Sequence, residues 1–153
     1  MIRTPTRLRL CITLIVCNLI FIWGNSLLPG EISGAFSDWV KDLLAPLFGW
    51  KGEGGGQGGL LRKVAHFTEF AVLGVCFRWL LGMLSSKRSL QLLIPLGSAF
   101  AAACIDETIQ IFVPLRGPGI KDVAIDTSGA ICGIVILSCI HYFKSKALED
   151  TKT

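Results

Sequence analysis

Charge is scarce in this chain. Asp, Glu, Lys and Arg make up 17% of its 153 residues against 52% hydrophobic, and the mean hydropathy is +0.61. Ordinary soluble domains carry about 25% charged residues, so the scarcity excludes that class and points to an integral membrane protein. Basic blocks are also missing. The formal charge of +4 is spread along the chain, and no basic–aromatic interleaving suggests a nucleic-acid partner. The six cysteines (Cys11, Cys17, Cys76, Cys104, Cys132 and Cys139) have no CxxC spacing and all fall inside apolar runs. Neither a zinc site nor a disulfide scaffold is supported, and they read as small lipid- or bundle-facing residues. The stretch KGEGGGQGG has no Gly-Lys-Ser/Thr after it and no strand before it, so it reads as a linker rather than a phosphate-binding loop. No Ser or Cys stands beside His66, which disfavours covalent acyl chemistry.

Long apolar runs are what the chain does have. Four of them, at about 8–28, 64–84, 90–113 and 123–143, are long enough to cross roughly 30 Å of hydrocarbon as helices. Backbone groups in lipid must pair within their own segment, so an all-α fold is expected: one domain, an integral membrane four-helix bundle. The first run has a basic start (Arg3, Arg7, Arg9) but no A-x-A-like site beyond it, so it is expected to be an uncleaved anchor. With alternating spans, one side holds Arg3, Arg7, Arg9, Lys87, Arg88, Lys144, Lys146 and Lys152, eight in all. The other holds Lys41, Lys51, Arg62, Lys63, Arg116 and Lys121, six in all. The arginines ahead of the first span tip the balance and place both termini in the cytoplasm. Arg78, within the second span, is expected to snorkel to the near surface.

The outer loop 29–63 is patterned. Ile32, Phe36, Trp39, Val40, Leu43, Leu44 and Leu47 follow a helical period, with Asp38, Lys41 and Asp42 between them. A short amphipathic surface helix is expected, capped by Ser33 or Ser37, ended or kinked by Pro46, with Trp39 at the interface. Pro95 is placed to kink the third span. Gly129-x-x-x-Gly133 offers the fourth a close-packing face.

The alternation of spans gathers the polar residues at one pole. Lys63, His66 and Glu69 share a face at the outer end of the second span. Asp106, Glu107 and Gln110 lie at the outer end of the third, and Asp122 and Asp126 at the outer start of the fourth. Arg116 and Lys121 sit in the connection between those last two. Ionisable groups at this depth are costly and usually face a bundle interior or wet cavity. Each has a bland reading as well. His66 could bond a neighbouring carbonyl, Asp122 could be an N-cap, and Asp106 and Glu107 could pair with Arg116 and Lys121. A merely structural bundle, however, has no need of so many buried charges.

The stretches KVAHFTEFAVLG (63–74) and DETIQIFVPLRGPGIKDVAIDTSGAICG (106–133) resemble the VanZ-like family of bacterial membrane proteins. The shared pattern falls on Lys63, His66 and Phe67; on Asp106, Glu107, Gln110, Phe112 and Pro114; and on Arg116, Asp122, Asp126 and Gly129. Two departures stand out. Leu115 takes a place where Gly often precedes the arginine, and Pro118-Gly119 replaces a more usual Gly-Ser. The resemblance implies a multi-span bundle in the bacterial cytoplasmic membrane and a link to the cell envelope. The family is named for a protein associated with low-level resistance to the glycopeptide teicoplanin. It supplies no molecular activity.

Beside a purely structural role, three functions remain open on the residues. One is binding of a membrane lipid, an anionic headgroup or a wall precursor, or docking of a partner, with Lys63, Gln110, Arg116, Lys121, Asp122 and Asp126 as ligand contacts. A second is metal-dependent chemistry on a lipid-linked phosphate or sugar. There His66, Glu69, Asp106 and Glu107 form the acid–base set, and His66, Glu69, Asp106 and Asp126 are candidate ligands for Mg²⁺, Mn²⁺ or Zn²⁺. The third is a proton relay or small transporter, for which four spans are few without an oligomer.

Overall fold

The computed structural model describes residues 4–48, 57–117 and 119–150. These residues form five helices: α1 (Thr4–Ser26), α2 (Gly30–Phe48), α3 (Gln57–Leu84), α4 (Leu90–Ile111) and α5 (Ile120–Asp150). No strand occurs among the described residues. Four helices are long and apolar enough to cross a membrane: Pro5–Ser26, Gly59–Leu84, Leu90–Ile111 and Ile120–Asp150. At 1.5 Å per residue, the 22-residue spans reach about 33 Å, matching a bilayer core. The protein is a multi-pass, all-α membrane protein.

The buried positions repeat at three- and four-residue intervals, as helix faces turned to a common core require. They are Cys11, Ile15 and Ile22 on α1, Phe70, Leu73 and Cys76 on α3, Ala99, Ala102 and Ala103 on α4, and Ala130 and Ile134 on α5. The outward positions remain large and apolar: Phe21 is 62% exposed and Leu93 65% exposed, as a lipid-facing surface demands. Short connections make α3, α4 and α5 successive antiparallel neighbours. α1 runs opposite to α3, its Ser26 end beside the first turns of α3 and the last turns of α4.

The closest packing in the bundle is between α3 and α5. A Cβ added at Gly129 would strike the carbonyl oxygen of Phe67, one at Gly133 that of Ala71, and one at Gly74 that of Ala130. Small residues on both helices therefore bring backbone against backbone.

Several local expectations change. α2 is a 19-residue helix rather than a short one, and it begins at Gly30. Ser33 and Ser37 lie inside it, and Ser37 Oγ donates to the Ser33 carbonyl (2.9 Å) instead of capping. Pro46 does not end it, because α2 runs on to Phe48. Its apolar Ile32, Trp39 and Leu43 point outward, 55–60% exposed. The linker read at 51–59 lies outside the described residues as far as 56, and Gln57 to Gly59 open α3. α4 continues through the buried Pro95. Arg78 does not snorkel. It is buried, and its Nε donates to Ser138 Oγ on α5 (3.0 Å).

The glycine contacts set a packing test. Gly133→Val should force α3 and α5 apart and cost about 3 kcal/mol. Gly97→Ala, where nothing lies within 4 Å of the added carbon, should leave stability unchanged or slightly raised. Thermal unfolding in detergent, followed by circular dichroism, should show Tm falling for the first substitution alone.

Candidate functional site

α3 presents His66 and, three residues on, Glu69. α4 presents Asp106, Glu107 and Gln110 on its inner face, and α5 presents Asp126 one turn before Gly129. Because α5 touches α3 at Phe67, Asp126 is carried directly onto His66. The His66 Nδ1 lies 3.7 Å from Asp106 Oδ2 and 3.6 Å from Asp126 Oδ1. His66 is 7% exposed, and both aspartates are completely buried.

The surrounding polar groups fall into two kinds. The first kind is used up in bracing the fold. Gln110 Nε2 donates to Asp106 Oδ2 (2.9 Å) and to Ser26 Oγ (3.2 Å), tying α4 to the end of α1. Glu107 Oε2 accepts the backbone N–H of Gly119 (2.8 Å), anchoring the turn into α5. Arg116 donates through Nε to the Leu28 carbonyl (3.0 Å) and through Nη2 to that of Asn25 (2.8 Å), satisfying carbonyls in the last turn of α1 and just beyond it. Burial, with Arg62 nearby, pushes the Arg116 pKa below its ordinary value, and Asp106 and Glu107 oppose that push. The anticipated pairing of Asp106 and Glu107 with Arg116 and Lys121 does not occur among the described residues.

The second kind is unspent. His66 Nδ1, Asp106 Oδ1, both carboxylate oxygens of Asp126 and Glu69 Oε2 are buried without a hydrogen-bond partner. Native proteins rarely leave such groups idle. One donor atom from each of His66, Asp106 and Asp126 falls within a 4.8 Å cluster. A tetrahedral ion with bonds of about 2.1 Å spaces its ligands about 3.4 Å apart, close to the two measured separations. The expected metal set also named Glu69, which is not in this cluster. Its Oε1 instead faces Asn25 Nδ2 (3.5 Å).

Two spaces adjoin the cluster. A crevice of ≈ 10 Å³ is bounded by Lys63, His66, Glu107, Gln110, Asp122 and Asp126, room for roughly one water or ion. A far larger cleft of ≈ 510 Å³ opens between α1, α2 and α3, with Phe21, Leu28, Val40 and Leu61 in its walls and Arg62, His66 and Glu69 at its polar end. Lys63 and Lys121 are exposed, and Asp122 is half-buried at the start of α5. Asp122 does not cap that helix, which begins two residues earlier.

Sequence reasoning missed Arg62, Asn25 and Ser26. Arg62 lines both spaces, and its position one turn before His66 was a readable signal. Asn25 and Ser26 were visible as a polar pair closing the first apolar run.

Among the described residues, the loop that carries Arg116 contains one strained residue. Leu115 has φ of 58°, left-handed for a non-glycine residue, and it falls where the family pattern often has Gly. Its carbonyl lies against Gly30, whose N–H donates to the Pro114 carbonyl (3.1 Å). Left-handed backbone costs an L-residue about 1 kcal/mol or more. Leu115→Gly should therefore stabilise the fold by about 1 kcal/mol, seen as a higher Tm with the arrangement at Arg116 unchanged.

The VanZ/LLP1 family model matches residues 9–141, a range that holds every residue of this polar cluster. No curated protein and no solved structure matches the chain. With most of its length covered by that model, the chain belongs to the VanZ/LLP1 family.

Proposed function

We propose that this protein holds a divalent cation on His66, Asp106 and Asp126 and uses it to capture the phosphate-bearing head of a cell-envelope lipid or lipid-linked precursor. The observation that carries this reading is the convergence of three buried donor groups, each with an unpartnered atom, of which His66 also lines the apolar cleft. An ion offset by two carboxylates would keep open coordination positions for phosphate oxygens. Arg62 and Lys63 add positive charge at the mouth. The walls of the 510 Å³ cleft offer an acyl or polyprenyl chain an apolar surface between α1, α2 and α3.

On this reading the polar pole faces the outside of a bacterial cytoplasmic membrane, and both termini are cytoplasmic. The arginines ahead of α1 support that orientation. The family is named for a protein associated with teicoplanin resistance, and wall precursors are lipids of this chemistry. Glu69 favours an accompanying catalytic reading. Its Oε2 is unpartnered and it lines the cleft, where it could take a proton from a water attacking a metal-held phosphate.

Purified protein should carry about one equivalent of Mg²⁺, Mn²⁺ or Zn²⁺ by elemental mass spectrometry. His66→Ala and Asp126→Asn should lose it while inserting and folding normally. Uptake should decline as the pH falls, since metal ligands must be deprotonated. Farnesyl pyrophosphate should bind only to the metal-loaded protein. Metal-free wild-type protein that binds it equally well would refute the proposal. Phosphate release that stops in Glu69→Gln, with binding retained, would establish turnover as well as capture.

A further inference from the structure

The opposite pole of the bundle buries a charge that the carboxylate site does not use. Arg78 lies 12 residues beyond His66 on α3, about 18 Å along the helix axis. It is only 6% exposed. Its Nε donates to Ser138 Oγ on α5 (3.0 Å), and that hydroxyl donates onward to the Ile134 carbonyl (2.7 Å). Its Nη1 is buried with no hydrogen-bond partner. A guanidinium is a five-donor fork, so one contact to a serine leaves donors to spare, those of the buried Nη1 among them.

The idle fork borders a cavity. A space of ≈ 330 Å³ is lined by Arg78, Arg88, Gln91, Ser138, His141 and Ser145 among others. Its described lining holds two arginines and a histidine and no carboxylate. Arg88 is close enough to Arg78 for the two charges to act on each other. Gly82 keeps the space open, since a Cβ there would stand 3.1 Å from Arg78 Nη1 and 4.0 Å from His141 Cε1. Two like charges facing an uncompensated cavity repel each other unless an anion sits between them. A flat, bidentate donor edge with hydroxyls beside it matches the oxygens of a phosphate group. Leu92 and Tyr142 complete an apolar flank.

We propose that this cavity is a second, independent binding site for a phosphate group, anchored by Arg78 and gated by the exposed Arg88. The phosphate is carried either by an anionic phospholipid headgroup in the adjoining leaflet or by free inorganic phosphate. Arg78 gives the site its depth. Arg88 contributes attraction from the rim, and Ser138 holds the Arg78 fork in orientation.

The test uses the full chain in detergent micelles. Native mass spectrometry compares retention of dioleoyl phosphatidylglycerol with that of dioleoylglycerol, which has the same chains and no phosphate. Calorimetry with inorganic phosphate forms a separate arm. Wild-type protein should retain the phosphatidylglycerol and release the diacylglycerol. Arg78→Gln should weaken retention about tenfold, the loss of charged hydrogen bonds from a desolvated site. Arg88→Gln alters an exposed side chain and so leaves the core intact; it should weaken retention roughly threefold. His66→Ala and Asp126→Asn should bind as wild type does, which separates this site from the one at the other pole. Calorimetric binding of inorganic phosphate, weakened in Arg78→Gln and less so in Arg88→Gln, would identify the free anion as the ligand, whereas lipid retention without it would identify the headgroup. Equal retention of phosphatidylglycerol by wild type, Arg78→Gln and Arg88→Gln would overturn the proposal.

Discussion

Gly129 and Gly133 let the backbone of α5 rest on the carbonyls of Phe67 and Ala71, and the polar centre depends on that contact. Phe67 follows His66 directly, and Asp126 precedes Gly129 by less than one turn. Whatever fixes the crossing therefore fixes the Asp126–His66 separation. Lipid gives apolar side chains no reason to leave it, so the drive for two helices to meet is close van der Waals packing. A methyl group at either glycine would hold the backbones apart, and Asp126 with them. The same two helices also position the opposite pole, where Ser138 of α5 meets Arg78 of α3. One packed seam thus sets the geometry at both ends.

The polar residues near the carboxylates divide by what they have already bonded. Gln110, Glu107 and Arg116 each close a gap in backbone or side-chain pairing: between α4 and α1, at the turn into α5, and at the end of α1. Their removal would harm the fold first. His66 and Asp126 close no such gap, although Asp126 is fully buried. Desolvating an ionisable group costs several kcal/mol even after relaxation. A fold under selection for stability alone would replace such a group with an apolar side chain of similar volume. The division between spent and unspent groups is therefore more informative than the number of charges.

The sequence made the spans legible because hydropathy over 20 residues is a sum that a few exceptions cannot hide. The gathering of His66, Asp106 and Asp126 followed from alternating direction alone, with no knowledge of packing. What stayed hidden depended on rotation. A residue's face turns by about 100° per step, so a small error in helix phase moves a side chain from core to lipid. Arg78 illustrates this. Its depth suggested an arginine reaching for the near interface, yet its face is turned to α5. Arg116 illustrates a second gap, since the family pattern marks it as important without saying that backbone carbonyls of α1 and the connection after it consume its donors. α2 was visible as an amphipathic period, but its role as a wall of the large cleft required knowing which helix it lies on.

The cleft and the crevice differ in a way that bears on how a ligand would arrive. The crevice, at ≈ 10 Å³, admits little more than an ion, and its walls are charged. The cleft, at ≈ 510 Å³, has mostly apolar walls drawn from α1, α2 and α3. A hydrophilic solute would gain little from such walls, whereas a hydrocarbon chain already in the membrane loses nothing by lying against them. His66 borders both spaces. With the proposed cation on His66, Asp106 and Asp126, a molecule with an apolar tail and an anionic head would satisfy both at once, tail in the cleft and head at the ion. Neither a free ion nor a plain hydrocarbon does so, and that asymmetry is the physical argument behind the proposed amphipathic ligand.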